Sequence, residues 1–85
     1  MKYPCFAIRD IKQGFGYPRL NLNEAMMKRQ FGYEINQEGS LMEYAPSDYE
    51  LYKIGEYDTD NGRMYPDDVA TFICNGTEVY GVNEK

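Results

Sequence analysis

The chain has 85 residues and a mass of 9.9 kDa, the size of a single domain, and its 42% hydrophobic content is that of a globular protein. It contains no histidine, which excludes the commonest general base and zinc ligand and every Ser-His or Cys-His nucleophile pair. The net charge of −5 argues against nonspecific binding of nucleic acid by the protein as a whole. We therefore expect one domain spanning residues 1–85, no enzymatic activity, no cofactor and no metal.

The sequence opens with a predicted strand followed by a loop. Residues 2–11 alternate loosely and are rich in strand formers, with apolar side chains on both faces. Residues 12–20 contain Gly14, Gly16 and Pro18, which interrupt any ladder of hydrogen bonds. This segment is predicted to be a loop.

A helix is predicted near residues 22–36. Asn21 is the expected N-cap, because Glu24 follows three residues later as in a capping box. Apolar residues recur every four positions and form one stripe: Met27, Phe31 and Ile35. Gly39 is expected to end the helix.

The remaining chain predicts a three-stranded antiparallel meander. Residues 49–58 and 64–74 are the first two strands, joined by a tight turn at Asp60-Asn61-Gly62. Asn75-Gly76 is predicted to make a second hairpin turn into a strand at 77–82. The predicted fold class is α+β: an antiparallel sheet of about four strands with one helix packed on one face.

The meander strands carry apolar residues on both faces, whereas one helix can cover only one face of such a sheet. The other face must therefore meet a second subunit, a ligand, or solvent through tyrosines, which tolerate a half-exposed position. We expect a homodimer that buries the sheet face away from the helix.

Two motifs resemble metal or redox sites but have simpler explanations. Asp58-x-Asp60-x-Gly62 begins like a calcium loop, yet Gly62 occupies a ligand position and the twelfth position is Val69. A hairpin turn accounts for it. Cys5 and Cys74 are expected to be small buried hydrophobic residues, and the sequence leaves open whether they are neighbours.

The charge is divided unevenly along the chain. Residues 1–33 hold six Lys and Arg against two carboxylates, whereas residues 34–85 hold three against twelve. This asymmetry predicts a basic face and an acidic face on one small body. A basic face is able to receive an anionic partner while the acidic face repels it elsewhere.

Basic and aromatic residues are interleaved in the first part of the chain. This mixture is typical of proteins that hold single-stranded nucleic acid, because cations track the phosphates while rings stack on bases. The alternative is that Phe15 and Tyr17 fold back to cap the core. The candidate nucleic-acid-binding residues are Lys2, Tyr3, Arg9, Lys12, Phe15, Tyr17, Arg19, Lys28 and Arg29.

Three stretches carry a resemblance to a known family: KYPCFAIRDIK at the start, the helical pattern from Met27 to Asn36 that includes Arg29 and Phe31, and APSDYELYKIGEYDTDNG at 45–62. Within the last stretch the matching positions are Pro46, Asp48, Tyr49, Leu51, Ile54, Gly55, Tyr57 and Asp58. The sequence resembles the small nonstructural DNA-binding protein of gokushoviruses, the single-stranded DNA phages of the Microviridae.

The resemblance implies a virus-encoded accessory factor that binds DNA and assists genome replication in the cytoplasm of the infected bacterial host. No catalytic residue is carried over by it. Two other interpretations remain open. In one, the protein is an adaptor that docks on a phage replication or capsid protein; in the other, its acidic half mimics DNA and occupies a basic groove. We expect no association with membranes, because no stretch approaches the length of a membrane span.

Overall fold

The computed structural model describes residues 1–81. Its elements are, in chain order, β1 (Lys2–Asp10), β2 (Gly14–Phe15), β3 (Arg19–Leu20), α1 (Glu24–Ile35), α2 (Leu41–Tyr44), one 3-10 turn (Pro46–Asp48), β4 (Tyr49–Asp58), β5 (Arg63–Asn75) and α3 (Gly76–Val79). The predicted α+β class is confirmed, since one antiparallel sheet packs against one long helix.

The strands lie in the order β2-β1-β4-β5, and β3 also pairs with β1. The prediction that residues 12–20 form a loop without strands is wrong, because β2 and β3 each pair with β1 over two residues. Pro18 lies between them and has no backbone N–H to continue the ladder. The segment is therefore a loop that contains two short strands, and both pair with the edge of β1 that faces away from β4.

The hairpin between β4 and β5 is confirmed. Gly62 has a positive φ of 73°, and its amide donates to the carbonyl of Asp58 at 2.8 Å. Further along the hairpin, β5 crosses very close to Gly55: a Cβ at that position would lie 2.6 Å from the carbonyl oxygen of Tyr65. Only a residue without a side chain permits this approach.

The core lies between α1 and one face of the sheet. The predicted apolar stripe is confirmed, since Met27, Phe31 and Ile35 are fully buried. They pack with Phe6 of β1 and Leu51 of β4 in one cluster. A fully buried apolar side chain of this size contributes roughly 1.5–3 kcal/mol, so this stripe is the main attachment of α1 to the sheet.

Both predicted ends of the helix need correction. The N-cap is Asn23 rather than Asn21, and its side chain accepts a hydrogen bond from the amide of Met26 at 2.8 Å. The helix ends at Ile35, four residues before Gly39. Asn36 replaces Gly39 as the terminator: its side-chain amide donates to the carbonyls of Gly32 and Val79, at 2.7 and 2.9 Å.

The predicted second hairpin is wrong. Asn75 is instead the N-cap of α3, with Thr77 donating to its side chain at 2.8 Å and the Glu78 carboxylate accepting from its backbone at 2.7 Å. This reciprocal pair favours a helical turn over a hairpin. The sheet therefore lacks the predicted strand over residues 77–81, and position 82 lies outside the described residues. Val79 packs into the core in place of that strand.

The expectation for the cysteines is confirmed. Cys5 and Cys74 are both buried free thiols, on strands β1 and β5 that β4 separates. Burial raises the pKa of the Cys5 thiol and raises the pKa of Cys74 to about 11. Both side chains are thus protonated at neutral pH and act as small hydrophobic residues.

The close crossing at Gly55 predicts the outcome of two glycine substitutions. Gly55→Ala should lower the free energy of unfolding by about 1–3 kcal/mol, because the new methyl group meets backbone that cannot rotate away. Gly32→Ala in α1 is the control: its Cβ would lie 3.5 Å from Val79, an ordinary contact, so better helix propensity should stabilise by roughly 0.5–1 kcal/mol. Urea denaturation measures both. Equal stability of Gly55→Ala and the unaltered protein would contradict the close crossing.

Candidate nucleic-acid interface

The sheet has one covered face and one that α1 does not reach. In β1, Phe6 and Ile8 point toward the helix and join the core. Successive side chains of a strand alternate between faces, so Ala7 and Arg9 point to the opposite side. We call this side the outer face. Its described members across the sheet are Ala7, Arg9, Phe15, Glu50, Tyr52 and Phe72.

Three aromatic rings form a row across the outer face. Tyr52 lies opposite Phe72 in the β4–β5 register, and their ring centroids are 5.7 Å apart. Phe15 of β2 lies on the other side of Tyr52, at 5.1 Å between centroids. Both contacts are edge-to-face, and Phe15 and Phe72 are 51% and 49% exposed. The aromatic row is thus anchored at its centre and accessible at both ends.

Arg9 places a positive charge against the aromatic row. Its guanidinium lies 6.0 Å from the centroid of the Phe15 ring and donates to the Glu50 carboxylate at 3.0 Å. The Tyr52 hydroxyl donates to the same carboxylate oxygen at 3.3 Å. The Tyr52 hydroxyl and Glu50 together raise the pKa of Arg9, so its charge is permanent.

The loop between β1 and α1 extends this surface around the sheet edge. Phe15, Tyr17 and Arg19 border a cleft of about 450 Å³, which Glu34 of α1 also lines. Tyr17 is 80% exposed, so its ring lies open on the loop and does not fold back to cap the core. Phe15 is not on a free tip, because it packs on Tyr52 and keeps one side toward solvent.

The remaining predicted cations lie elsewhere. Lys2 lies near the far end of β1, with its ammonium 5.0 Å from the centre of the Tyr65 ring, and the Tyr3 hydroxyl donates to the sulfur of Met1. Lys28 and Arg29 are on α1, where they line a groove of about 820 Å³ between α1 and α3. Since α1 covers the face of the sheet opposite the outer face, these two cations do not share a surface with the aromatic row.

The expected division into a basic face and an acidic face is not what the fold produces. Antiparallel pairing sets β1, from the basic half, beside β4, from the acidic half. Ion pairs join the two halves, among them Arg9–Glu50, Lys12–Asp48 and Arg19–Glu34. The positive charge of the first half is therefore partly neutralised within the chain.

Sequence reasoning missed three residues of this surface: Glu50, Tyr52 and Phe72. They lie far from the basic segment along the chain, and only the pairing of β1 with β4 and of β4 with β5 brings them beside Arg9 and Phe15. For Glu50 and Tyr52 the sequence did carry a signal, the alternation of β4, which sets both on the face opposite Leu51.

The fold and this surface describe a small α+β protein with one open sheet face. Over residues 3–79 the chain matches the family model described as Phage ORF5 protein. It therefore belongs to that family and is a small phage-encoded protein. No curated protein and no solved structure matches the chain.

No helix among residues 1–81 is long and apolar enough to span a bilayer.

The Arg19–Glu34 pair, which ties the loop to α1, predicts a pH-dependent contribution to stability. Burial alone would raise the pKa of Glu34, but hydrogen bonds from Arg19 and Gln30 and the charge of Arg19 lower it below its ordinary value of 4.5. A lowered pKa in the folded state gives stability that is present above pH 4.5 and is lost as the pH falls through the folded-state pKa. Glu34→Gln should cost about 1 kcal/mol at pH 7.

Urea denaturation at several pH values tests this prediction. The difference between Glu34→Gln and the unaltered protein should shrink toward zero as the pH falls below 4.5. Glu38→Gln, at an exposed position just after α1, is the matched control and should change little at any pH. A Glu34→Gln difference that stays constant with pH would contradict the contribution of the pair.

Proposed function

We propose that this phage protein is a nonstructural accessory factor that binds single-stranded DNA on its outer face. It acts during genome replication in the cytoplasm of the infected bacterium and has no enzymatic activity of its own. The aromatic row beside Arg9 is the observation that carries this proposal. The resemblance to the gokushovirus DNA-binding protein supports it independently.

The geometry favours single strands over duplexes. Stacking needs bases whose flat faces are accessible, as they are in a single strand, and each stacked base is worth roughly 1–3 kcal/mol. Phe15 and Phe72 offer half-exposed rings at the two ends of the row, and Tyr17 offers a third on the loop. Arg9 lies where it reaches the phosphate of a nucleotide stacked on Phe15.

Electrostatics should make this binding modest and sensitive to salt. Arg9 lies beside the aromatic row, Arg19 lines the loop cleft and Lys12 is in the turn between β1 and β2, and each is paired with a carboxylate. Three phosphate contacts give a slope of log affinity against log salt near −2, at about −0.7 per contact for a single strand. The net charge of −5 opposes the interaction at longer range.

The proposed homodimer uses the same surface. A second copy that buries the sheet face away from α1 covers Phe15 and Phe72, as does a replication or capsid protein docked there. DNA and a second copy therefore compete, and in light scattering a bound oligonucleotide should convert dimers into complexes that contain one 9.9 kDa protomer each. A dimer that keeps its mass when saturated with DNA would place the contact between copies elsewhere.

If the rings at the two ends of the row stack on bases, removing one should weaken DNA binding without changing its electrostatic part. Phe15→Ala and Phe72→Ala should each weaken binding of a fluorescent oligothymidylate by roughly 5- to 100-fold, because one stacked base is lost. The slope of log affinity against log salt should stay unchanged, since stacking releases no counterions. Fluorescence anisotropy at several salt concentrations measures both quantities.

Tyr33→Ala is the matched control, because Tyr33 is an exposed ring, at 67%, on α1 rather than on the outer face. It should leave binding unchanged. Equal effects of Tyr33→Ala and Phe72→Ala, or no effect of either phenylalanine, would overturn the outer face as the DNA site and favour the adaptor or DNA-mimic interpretation.

A further inference from the structure

Glu50 stands out on the outer face because it is acidic, whereas the large side chains around it, those of Arg9, Phe15, Tyr52 and Phe72, are basic or aromatic. Its side chain is 19% exposed, and one of its oxygens, Oε1, accepts from both Arg9 and Tyr52. Glu50 lies opposite Arg9 in the β1–β4 register, so the backbone holds the two groups together. No neighbouring role in the core requires a carboxylate there, since Glu50 points away from α1.

We propose that the Glu50 carboxylate occupies the phosphate site of the DNA-binding surface and must be displaced when a nucleotide binds. The inference rests on the proposed function and identifies one subsite within it. The subsite is formed by the Arg9 guanidinium and the Tyr52 hydroxyl, and the rings of Phe15 and Tyr52 lie beside it.

The Glu50 carboxylate and a DNA phosphate are similar ligands for the Arg9 guanidinium. A carboxylate and a phosphodiester each present two oxygens with one negative charge, and both suit the planar fork of an arginine. The hydroxyl of Tyr52, 3.3 Å from Glu50 Oε1, is available as a second donor once the carboxylate leaves. When a phosphate occupies this subsite, the base of the same nucleotide is close enough to stack on the Phe15 ring. The centroid of that ring is 6.0 Å from the Arg9 guanidinium.

The competition has a physical consequence for DNA binding. Each phosphate that reaches Arg9 replaces an existing ion pair rather than a hydrated cation, so the gain in free energy is reduced. The freed carboxylate also takes up cations, which cancels part of the counterion release. Glu50 thus keeps binding weak and rapidly reversible, as suits a factor that must leave the strand it covers.

Neutralising Glu50 tests the inference. In Glu50→Gln, oligothymidylate should bind roughly two- to fivefold more tightly, because Arg9 is released from its pair. The salt dependence should steepen by up to about 0.7 in the slope of log affinity against log salt. Fluorescence anisotropy over a salt series measures both, and circular dichroism verifies the fold.

Two variants separate this local effect from the change in net charge. Glu56→Gln removes one carboxylate from the same strand, at a position opposite Pro4 and Tyr65 rather than Arg9, and should change neither affinity nor slope to the same extent. In an Arg9→Gln background, Glu50→Gln should give no gain, because the group it competes for is absent.

The outcomes distinguish the inference from the proposed function. If the unaltered protein binds and Glu50→Gln behaves like Glu56→Gln, or the gain persists without Arg9, the phosphate subsite is refuted while DNA binding stands. If neither the unaltered protein nor any variant binds at low salt, the proposed function fails and the subsite fails with it. Tighter binding by Glu50→Gln alone supports both.

Discussion

The fold depends on one constraint: α1, a helix of twelve residues, is the main cover of a sheet whose strands are apolar on both faces, and the short helices α2 and α3 pack beside it on the same core. The apolar stripe of α1 covers one face of the sheet and buries Phe6 and Leu51 there. The opposite face has no such cover within the described residues, so its rings pack edge to face on one another and Phe15 and Phe72 stay half exposed. The open aromatic surface follows directly from how the core is built.

Strand pairing also decides the electrostatics. Because β1 pairs with β4, a chain whose first half is basic and whose second half is acidic folds into a body where the two charges meet as ion pairs. These pairs are partly open to solvent and each contributes about 1 kcal/mol or less, so they are exchangeable for other ion pairs at low cost. In the proposed function, a DNA phosphate is one such exchange partner. The acidic composition of the chain is therefore compatible with the proposed DNA-binding surface.

Local sequence patterns correctly predicted the elements whose structure depends only on residues close together in the chain. The stripe of Met27, Phe31 and Ile35 and the turn at Gly62 are confirmed, since periodicity and left-handed backbone leave few alternatives. Asn75-Gly76 misled because the same pair starts a hairpin or caps a helix, and Glu78, three residues on, was the deciding signal. The candidate site was only half predictable: Arg9 and Phe15 follow from composition, whereas Tyr52 is brought beside them by strand register.

Photochemical crosslinking tests the central claim, that the outer face binds single-stranded DNA, most directly. An oligonucleotide containing 5-bromouracil would be irradiated with the protein at low salt, and the crosslinked peptides identified by mass spectrometry. We expect crosslinks at Phe15, Tyr52 or Phe72, the rings of the aromatic row. Crosslinks confined to Tyr33 in the groove beside α1, or none at saturating DNA, would contradict it.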